Sequence, residues 1–133
     1  MKKLMSIISV IFILVSITAC GTSEPQHTLS YEKMEHITLY DEYECVAVFT
    51  QYTNDSSESA VPADNLTVKA YQNGVELSPL VPSGEKTNGY IQCDASVQSA
   101  VTANVVWIFQ LDDNSTVSVE MPNGETVEGE MGN

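Results

Sequence analysis

Asn73-Gly74 is flanked on both sides by residues that alternate between apolar and polar, and this constrains the fold more than any other feature. Before it, Leu66, Val68 and Ala70 alternate with Thr67, Lys69 and Tyr71; after it come Val75 and Leu77. A period of two lines up one set of side chains on a single face of a strand. Asn and Gly tolerate the positive φ that a two-residue hairpin turn demands. Residues 66–77 are therefore expected to form a β-hairpin turning at Asn73 and Gly74.

The same period recurs elsewhere. Ile37 and Leu39 alternate with Thr38 and Tyr40 in a first expected strand. Residues 43–52 are rich in β-branched and aromatic side chains, with Cys45, Ala47 and Phe49 on one face and Val46, Val48 and Thr50 on the other. Residues 53–65 are polar, contain Pro62 and read as a loop. Residues 78–98 carry Pro79, Pro82, Gly84 and Gly89 and read as irregular, with a short strand at 90–93. Residues 100–111 form a second long strand, with Val105, Trp107, Phe109 and Leu111 on its core face. A turn at Asp112-Asp113-Asn114 leads to a last strand over 116–121, with Val117 and Val119 inward. Several short strands joined by polar turns predict an all-β chain, a β-sandwich of immunoglobulin size.

The N-terminus reads as an address rather than as part of the fold. Lys2 and Lys3 precede an apolar stretch from Leu4 to Ile17, which ends in Ile17-Thr18-Ala19-Cys20. That ending resembles the lipobox of bacterial lipoproteins. The resemblance implies a signal peptide over 1–19, a diacylglyceryl group on the Cys20 thiol, and Cys20 as the first mature residue. The apolar stretch is shorter than the about 20 residues a membrane span needs. Two acyl chains on one residue suffice for stable anchoring. The expected organisation is signal peptide 1–19, lipidated Cys20 and flexible tether 20–34, immunoglobulin-like sandwich 35–122, and an acidic, glycine-containing tail 123–133 that frays or adds a short edge strand.

Three strings carry a further resemblance. Residues 70–77 (AYQNGVEL), 49–56 (FTQYTNDS) and 107–113 (WIFQLDD) are similar to the central hairpin, an early strand and a late strand of a bacterial family with a telokin-like immunoglobulin fold. That family is met as lipoproteins of Gram-positive bacteria and is a domain of unknown function. The resemblance spans roughly residues 36–121 and implies the same sandwich. It supplies no catalytic residues. The family's Pro-Gly turn before the late strand has no counterpart in residues 97–100 (VQSA).

Charge and motif inventory exclude several functions. The chain carries 18 acidic residues against 5 lysines and no arginine, a formal charge of −13. Loss of residues 1–19 removes Lys2 and Lys3 and no acid, which moves the charge to −15. Nucleic-acid binding needs clustered cations and is excluded as an expectation. With Cys20 lipidated, Cys45 and Cys93 remain as a disulfide candidate outside the cell. A bridge would contribute about 4 kcal/mol on the chain-entropy model; the alternative is two separately buried thiols. His27 and His36 are too few and too scattered for a zinc site or a triad. Asp112-Asp113-Asn114 and Asp41-Glu42-Glu44 lack the spacing of a known calcium loop and read as turn acids. Asn54, Asn65 and Asn114 head Asn-x-Ser/Thr patterns that the bacterial signal leaves unmodified. Tyr52, Tyr71 and Tyr90 are candidates for a binding face.

The expectation is a non-enzymatic lipoprotein with no cofactor or metal, held on the outer face of the cell membrane by lipid on Cys20. It would bind another molecule or support the envelope. The alternative is an accessory lipoprotein that binds a solute or cation in a pocket of about 300 Å³ or more.

Overall fold

The alternation resolves into eight strands among the residues described, 25–132, in a computed structural model of the protein. In chain order they are β1 (His27–Leu39), β2 (Tyr43–Asn54), β3 (Lys69–Gln72), β4 (Val75–Glu76), β5 (Ile91–Gln92), β6 (Val101–Gln110), β7 (Val117–Glu120) and β8 (Thr126–Gly129). A single-turn helix, α1 (Pro62–Asn65), lies between β2 and β3. One sheet has the order β1-β2-β6-β5 and the other β4-β3-β7-β8. Val46, Val48, Val105 and Phe109 of the first pack with Ala70, Val117 and Val119 of the second in one hydrophobic core. The chain is thus an all-β sandwich.

Asn73 (φ 53°) and Gly74 (φ 80°) take the left-handed conformation of the expected hairpin turn. Tyr71 pairs with Glu76 and Gln72 with Val75 across it. Buried Gln72 then ties this hairpin to the next turn. Its Nε2 donates to the carbonyls of Asp113 (3.0 Å) and Ser115 (2.8 Å), and its Oε1 accepts from the backbone N–H groups of Asp112 (2.8 Å) and Asp113 (3.3 Å). Both donors and both lone pairs of the amide are used, so a polar group with almost no exposure is fully satisfied.

The first sheet is buried on both faces. The expected core face of β6 does point between the sheets. Its opposite face carries Val106 and Ile108, which join Cys45, Ala47 and Phe49 of β2 in a second buried cluster. The cover comes from residues read as irregular: Leu80 and Tyr90 pack over this cluster. After β4 the chain leaves the second sheet and runs beside β6. Leu80 N–H donates to the Ile108 carbonyl and Gln110 N–H to the Ser78 carbonyl, both at 2.9 Å. The short strand expected at 90–93 is β5, and it pairs with β6 in parallel, Ile91 with Val105 and Gln92 with Val106.

β1 serves both clusters because its pairing with β2 shifts register between Tyr31 and Lys33. A bulge adds one residue and so reverses which parity faces inward. Before it, Leu29 and Tyr31 pack on the core between the sheets; after it, Met34 does so, while Ile37 and Leu39 join the outer cluster. Lys33 lies over the outer-cluster ring of Phe49, 5.1 Å from its centroid, and Tyr90 meets that ring edge-on at 4.8 Å.

Two expected boundaries are corrected. The tether over 20–34 is shorter, because β1 starts at His27 and its polar residues conceal an alternation of Leu29 and Tyr31 with Thr28 and Ser30. The sandwich expected over 35–122 therefore starts earlier, and it also extends further. β8 forms the edge strand allowed for in the tail, and Met131 beyond it is buried in the main core. Gly129 faces β1 so closely that a Cβ there would run into the Met34 side chain. The proposed signal peptide and Cys20 lie outside the described residues.

Candidate functional site

The second sheet ends in a short strand on the side where the first sheet does too. β4 and β5 are two residues each. Strands this short leave the seam between the sheets uncovered, and an apolar cleft of about 270 Å³ opens there. Leu66, Val68, Pro79, Val81, Trp107 and Phe109 supply most of its wall, with Ala63 of α1, Lys69 and Glu76 at the rim. The cleft reaches the core: Val68 and Cys93 are 7% exposed, Phe109 5% and Trp107 4%, whereas Val105, Val117 and Val119 are 0% exposed.

A buried relay holds the indole at the cleft. Trp107 Nε1–H donates to Thr50 Oγ1 at 3.1 Å, and the Thr50 hydroxyl donates to the Val105 carbonyl at 2.8 Å. Both polar groups are satisfied in a place water does not reach, and the indole is held in one orientation by β2. Leu66, which follows α1, is fixed by its N–H to the Pro62 carbonyl at 2.9 Å.

A second concavity, about 490 Å³ and polar, opens beside the start of β1, among His27, Ser56, Glu58, Asp64, Asn65 and Ser96. Asn54, fully buried, organises its rim. The Asn54 Nδ2 donates to the carbonyls of Glu58 and Val97, each at 2.9 Å, and its Oδ1 accepts from Ser56 N–H at 3.0 Å. Burial removes Asn54 from any role as a glycan acceptor.

The cysteines do not pair. Cys45 sits in the outer cluster of the first sheet and Cys93 in the core between the sheets, and both thiols are free. The disulfide candidate gives way to two separately buried thiols, because the β2 parity that turns Val46 inward turns Cys45 away from Cys93. Burial, with the nearby Glu44 carboxylate, pushes the Cys45 thiol up to about 11. Burial and Asp94 do the same to Cys93. Both are thiols rather than thiolates at neutral pH, the form that is a poor nucleophile.

The remaining candidates are held by local partners. His27 Nδ1 lies 2.7 Å from the Tyr52 hydroxyl, and His36 Nε2 lies 2.6 Å from Glu44 Oε1, which also binds Thr38 through its other oxygen at 3.0 Å. Asp113 accepts from Ser115 N–H at 2.8 Å and from Asn73 Nδ2 at 3.1 Å. Hydrogen bonds from the Ser115 side chain and backbone hold its carboxyl below the usual value, with Asn73 adding to them. Among the described residues no three His, Cys, Asp or Glu side chains cluster as metal ligands. Of the three tyrosines, Tyr52 is buried, Tyr90 covers Phe49 and donates to Glu32 at 2.6 Å, and Tyr71 is half-buried on the outer face of the second sheet. The cleft was not among the sequence expectations. Its only local signal is apolar Val81 inside a segment otherwise rich in Pro and polar residues, since Leu66 reads as part of the hairpin alternation.

A likeness in fold accompanies this geometry. The crystal structure of a lipoprotein candidate of Bacillus subtilis, ycdA, superposes with a TM-score of 0.51 at 12% identity, over 83% of this chain and 38% of that one. The chain thus corresponds to well under half of that protein's length. No curated protein matches the sequence. The model of a domain of unknown function, DUF5067, matches residues 22–123. The chain belongs to the DUF5067 family.

Proposed function

We propose that the protein is held at the outer face of the cell membrane by lipid on Cys20 and acts there as a non-enzymatic binding module. The observation that carries this reading is Ile17-Thr18-Ala19-Cys20 at the end of an apolar stretch with a basic start. The fold likeness to a Bacillus lipoprotein candidate is consistent with it. Six residues separate Cys20 from His27, which makes seven Cα-to-Cα steps. Fully extended they span at most about 25 Å, so the start of β1 would stay near the lipid surface. The 13 residues of β1 would then carry the turn after Leu39 about 40 Å outward.

The immunoglobulin-like reading is supported by strand order. With β1 to β8 labelled A, B, C, C′, D, E, F and G, the sheets read A-B-E-D and C′-C-F-G, the arrangement of an immunoglobulin sandwich with one added strand. The parallel pairing of β5 with β6 departs from it. A binding role is favoured over catalysis by how the polar side chains are used: Thr50, Asn54 and Gln72 each hold backbone or indole groups of the scaffold, and both thiols are kept protonated. The observation nearest to the solute-binding alternative is the apolar cleft, which at about 270 Å³ falls short of the pocket of about 300 Å³ or more expected for it.

The test is Cys20→Ala in the native host. The wild-type chain is expected in the detergent phase and the variant in the aqueous phase or the medium. A variant that still fractionates with lipid overturns the anchor.

A further inference from the structure

We infer that a hollow beside the edge strand β5 binds a small aliphatic α-amino acid, its ammonium held by Gln92 Oε1 and the Asp94 carboxylate and its carboxylate held by Lys86. The site goes beyond the anchored-module reading and does not depend on the anchor.

Three observations converge. The first is a buried amide that is only half used. Thr50, Asn54, Gln72 and Gln92 are the buried polar side chains among the described residues. The first three give their polar atoms to the scaffold. Gln92, 2% exposed, uses only its Nε2, which donates to Thr87 Oγ1 at 3.0 Å. Its Oε1 has no hydrogen-bond partner among the described residues, where no side-chain oxygen or nitrogen sealed from solvent is left unpaired. That oxygen therefore faces an opening. The opening is a hollow of about 280 Å³, which Gln92 lines with Glu85, Lys86, Ile91, Asp94 and Ala95. An acceptor withdrawn from bulk water gains more from a ligand N–H than an exposed one does.

The second is that the walls are fixed. Thr87 and Tyr90 exchange backbone hydrogen bonds at 3.0 and 2.9 Å around a turn in which Asn88 (φ 52°) and Gly89 (φ 85°) are left-handed. This turn holds the Thr87 hydroxyl against Gln92. Ala95 N–H donates to the Gln92 carbonyl at 3.0 Å. Ser83 Oγ donates to Asp94 Oδ2, which leaves Asp94 Oδ1 available. A site held in this way costs little ordering when a ligand enters.

The third is charge and size. Glu85, Lys86 and Asp94 are exposed at the hollow, and Lys86 takes part in no ion pair among the described residues. Charges of both signs that do not neutralise each other complement a molecule that carries both. Ile91 and Ala95, each half-buried, give a short side chain an apolar wall. About 280 Å³ lies below the range of drug-sized sites, about 300–1,000 Å³, which suits one amino acid rather than a peptide.

Full-length protein in detergent is titrated calorimetrically with valine. Isobutylamine, which lacks the carboxylate, and isovalerate, which lacks the ammonium, are the comparators. Valine is expected to bind saturably and to shift the NMR signal of the Gln92 side-chain amide. It should bind about fivefold more tightly than either comparator, the scale of one partly exposed ion pair. Asp94→Asn and Lys86→Gln, both at exposed positions, should each weaken valine by about the same factor, and Lys86→Gln should leave isobutylamine unchanged. Ala95→Leu should fill the hollow and remove the response without altering the unfolding transition. Equal or tighter binding of either comparator overturns the two-charge assignment. A valine response that is absent, or that persists unchanged in Ala95→Leu, overturns the site.

Discussion

The two sheets solve the same problem differently. The β1-β2-β6-β5 sheet buries apolar side chains on both faces, between the sheets and under Leu80 and Tyr90. The β4-β3-β7-β8 sheet buries one face; on the other, Tyr71, Ser118, Glu120 and Glu128 border an open polar surface. The first sheet is held by hydrophobic burial twice over, and the second depends more on side-chain amides at its end, Gln72 and Asn73. An antiparallel sheet with one wetted face can present that face and its seams to a partner, whereas a doubly covered sheet is scaffold. The difference also explains the location of the cleft, since only the thinly built edges β4 and β5 leave the seam open.

The largest effect should break the symmetry of the two outer faces. Phe49→Ala removes a fully buried ring from the outer cluster and should cost about 3–5 kcal/mol in chemical denaturation. Tyr71→Ala, on the outer face of the other sheet, should cost less than about 1 kcal/mol. Equal losses would mean that the outer cluster is not a second core.

A smaller loss tests the amide ties. Gln72→Leu leaves the Asp112 and Asp113 N–H groups and two carbonyls without partners, at about 1–3 kcal/mol. Hydrogen exchange should quicken first at Asp112 and Asp113, while amides of β2 and β6 keep their protection. Uniform acceleration would show that the turn and the doubly covered sheet open together.

The smallest effect is in pH. Asp113 has its carboxyl lowered below 3.8, chiefly by Ser115 and then by Asn73, so it adds stability that is complete above the unfolded value and fades as pH falls through the lowered folded value. Asp113→Asn should flatten the acid limb of the stability curve and change little at pH 7. An unchanged acid limb would place the pH dependence elsewhere.

What could be read beforehand follows the same divide. β2, β6, β7 and the hairpin at Asn73-Gly74 were legible because alternation and turn chemistry are written in adjacent residues. The first half of β1 was not, because Leu29 and Tyr31 sit among polar residues beside Pro25 and read as tether. The second cluster was invisible because Val106 and Ile108 are covered by Leu80 and Tyr90, which are distant in sequence and lie in a segment rich in Pro and Gly. The cleft combines Leu66, Val81, Cys93 and Trp107, which no local pattern links. The disulfide was undecidable from Cys45 and Cys93 alone; strand parity settles it.

The register shift in β1 has a consequence for how this arm can vary over generations. Point replacements there alter one contact at a time, and even the loss of Glu32 would only take out the extra residue, leaving Tyr31 opposite Thr50, Lys33 opposite Phe49, and Met34, Ile37 and Leu39 on the sides they already occupy. Loss of a single residue is therefore expected at that position sooner than elsewhere in the strand, while the turn after Leu39, which has no inward duty, is free to grow or shrink.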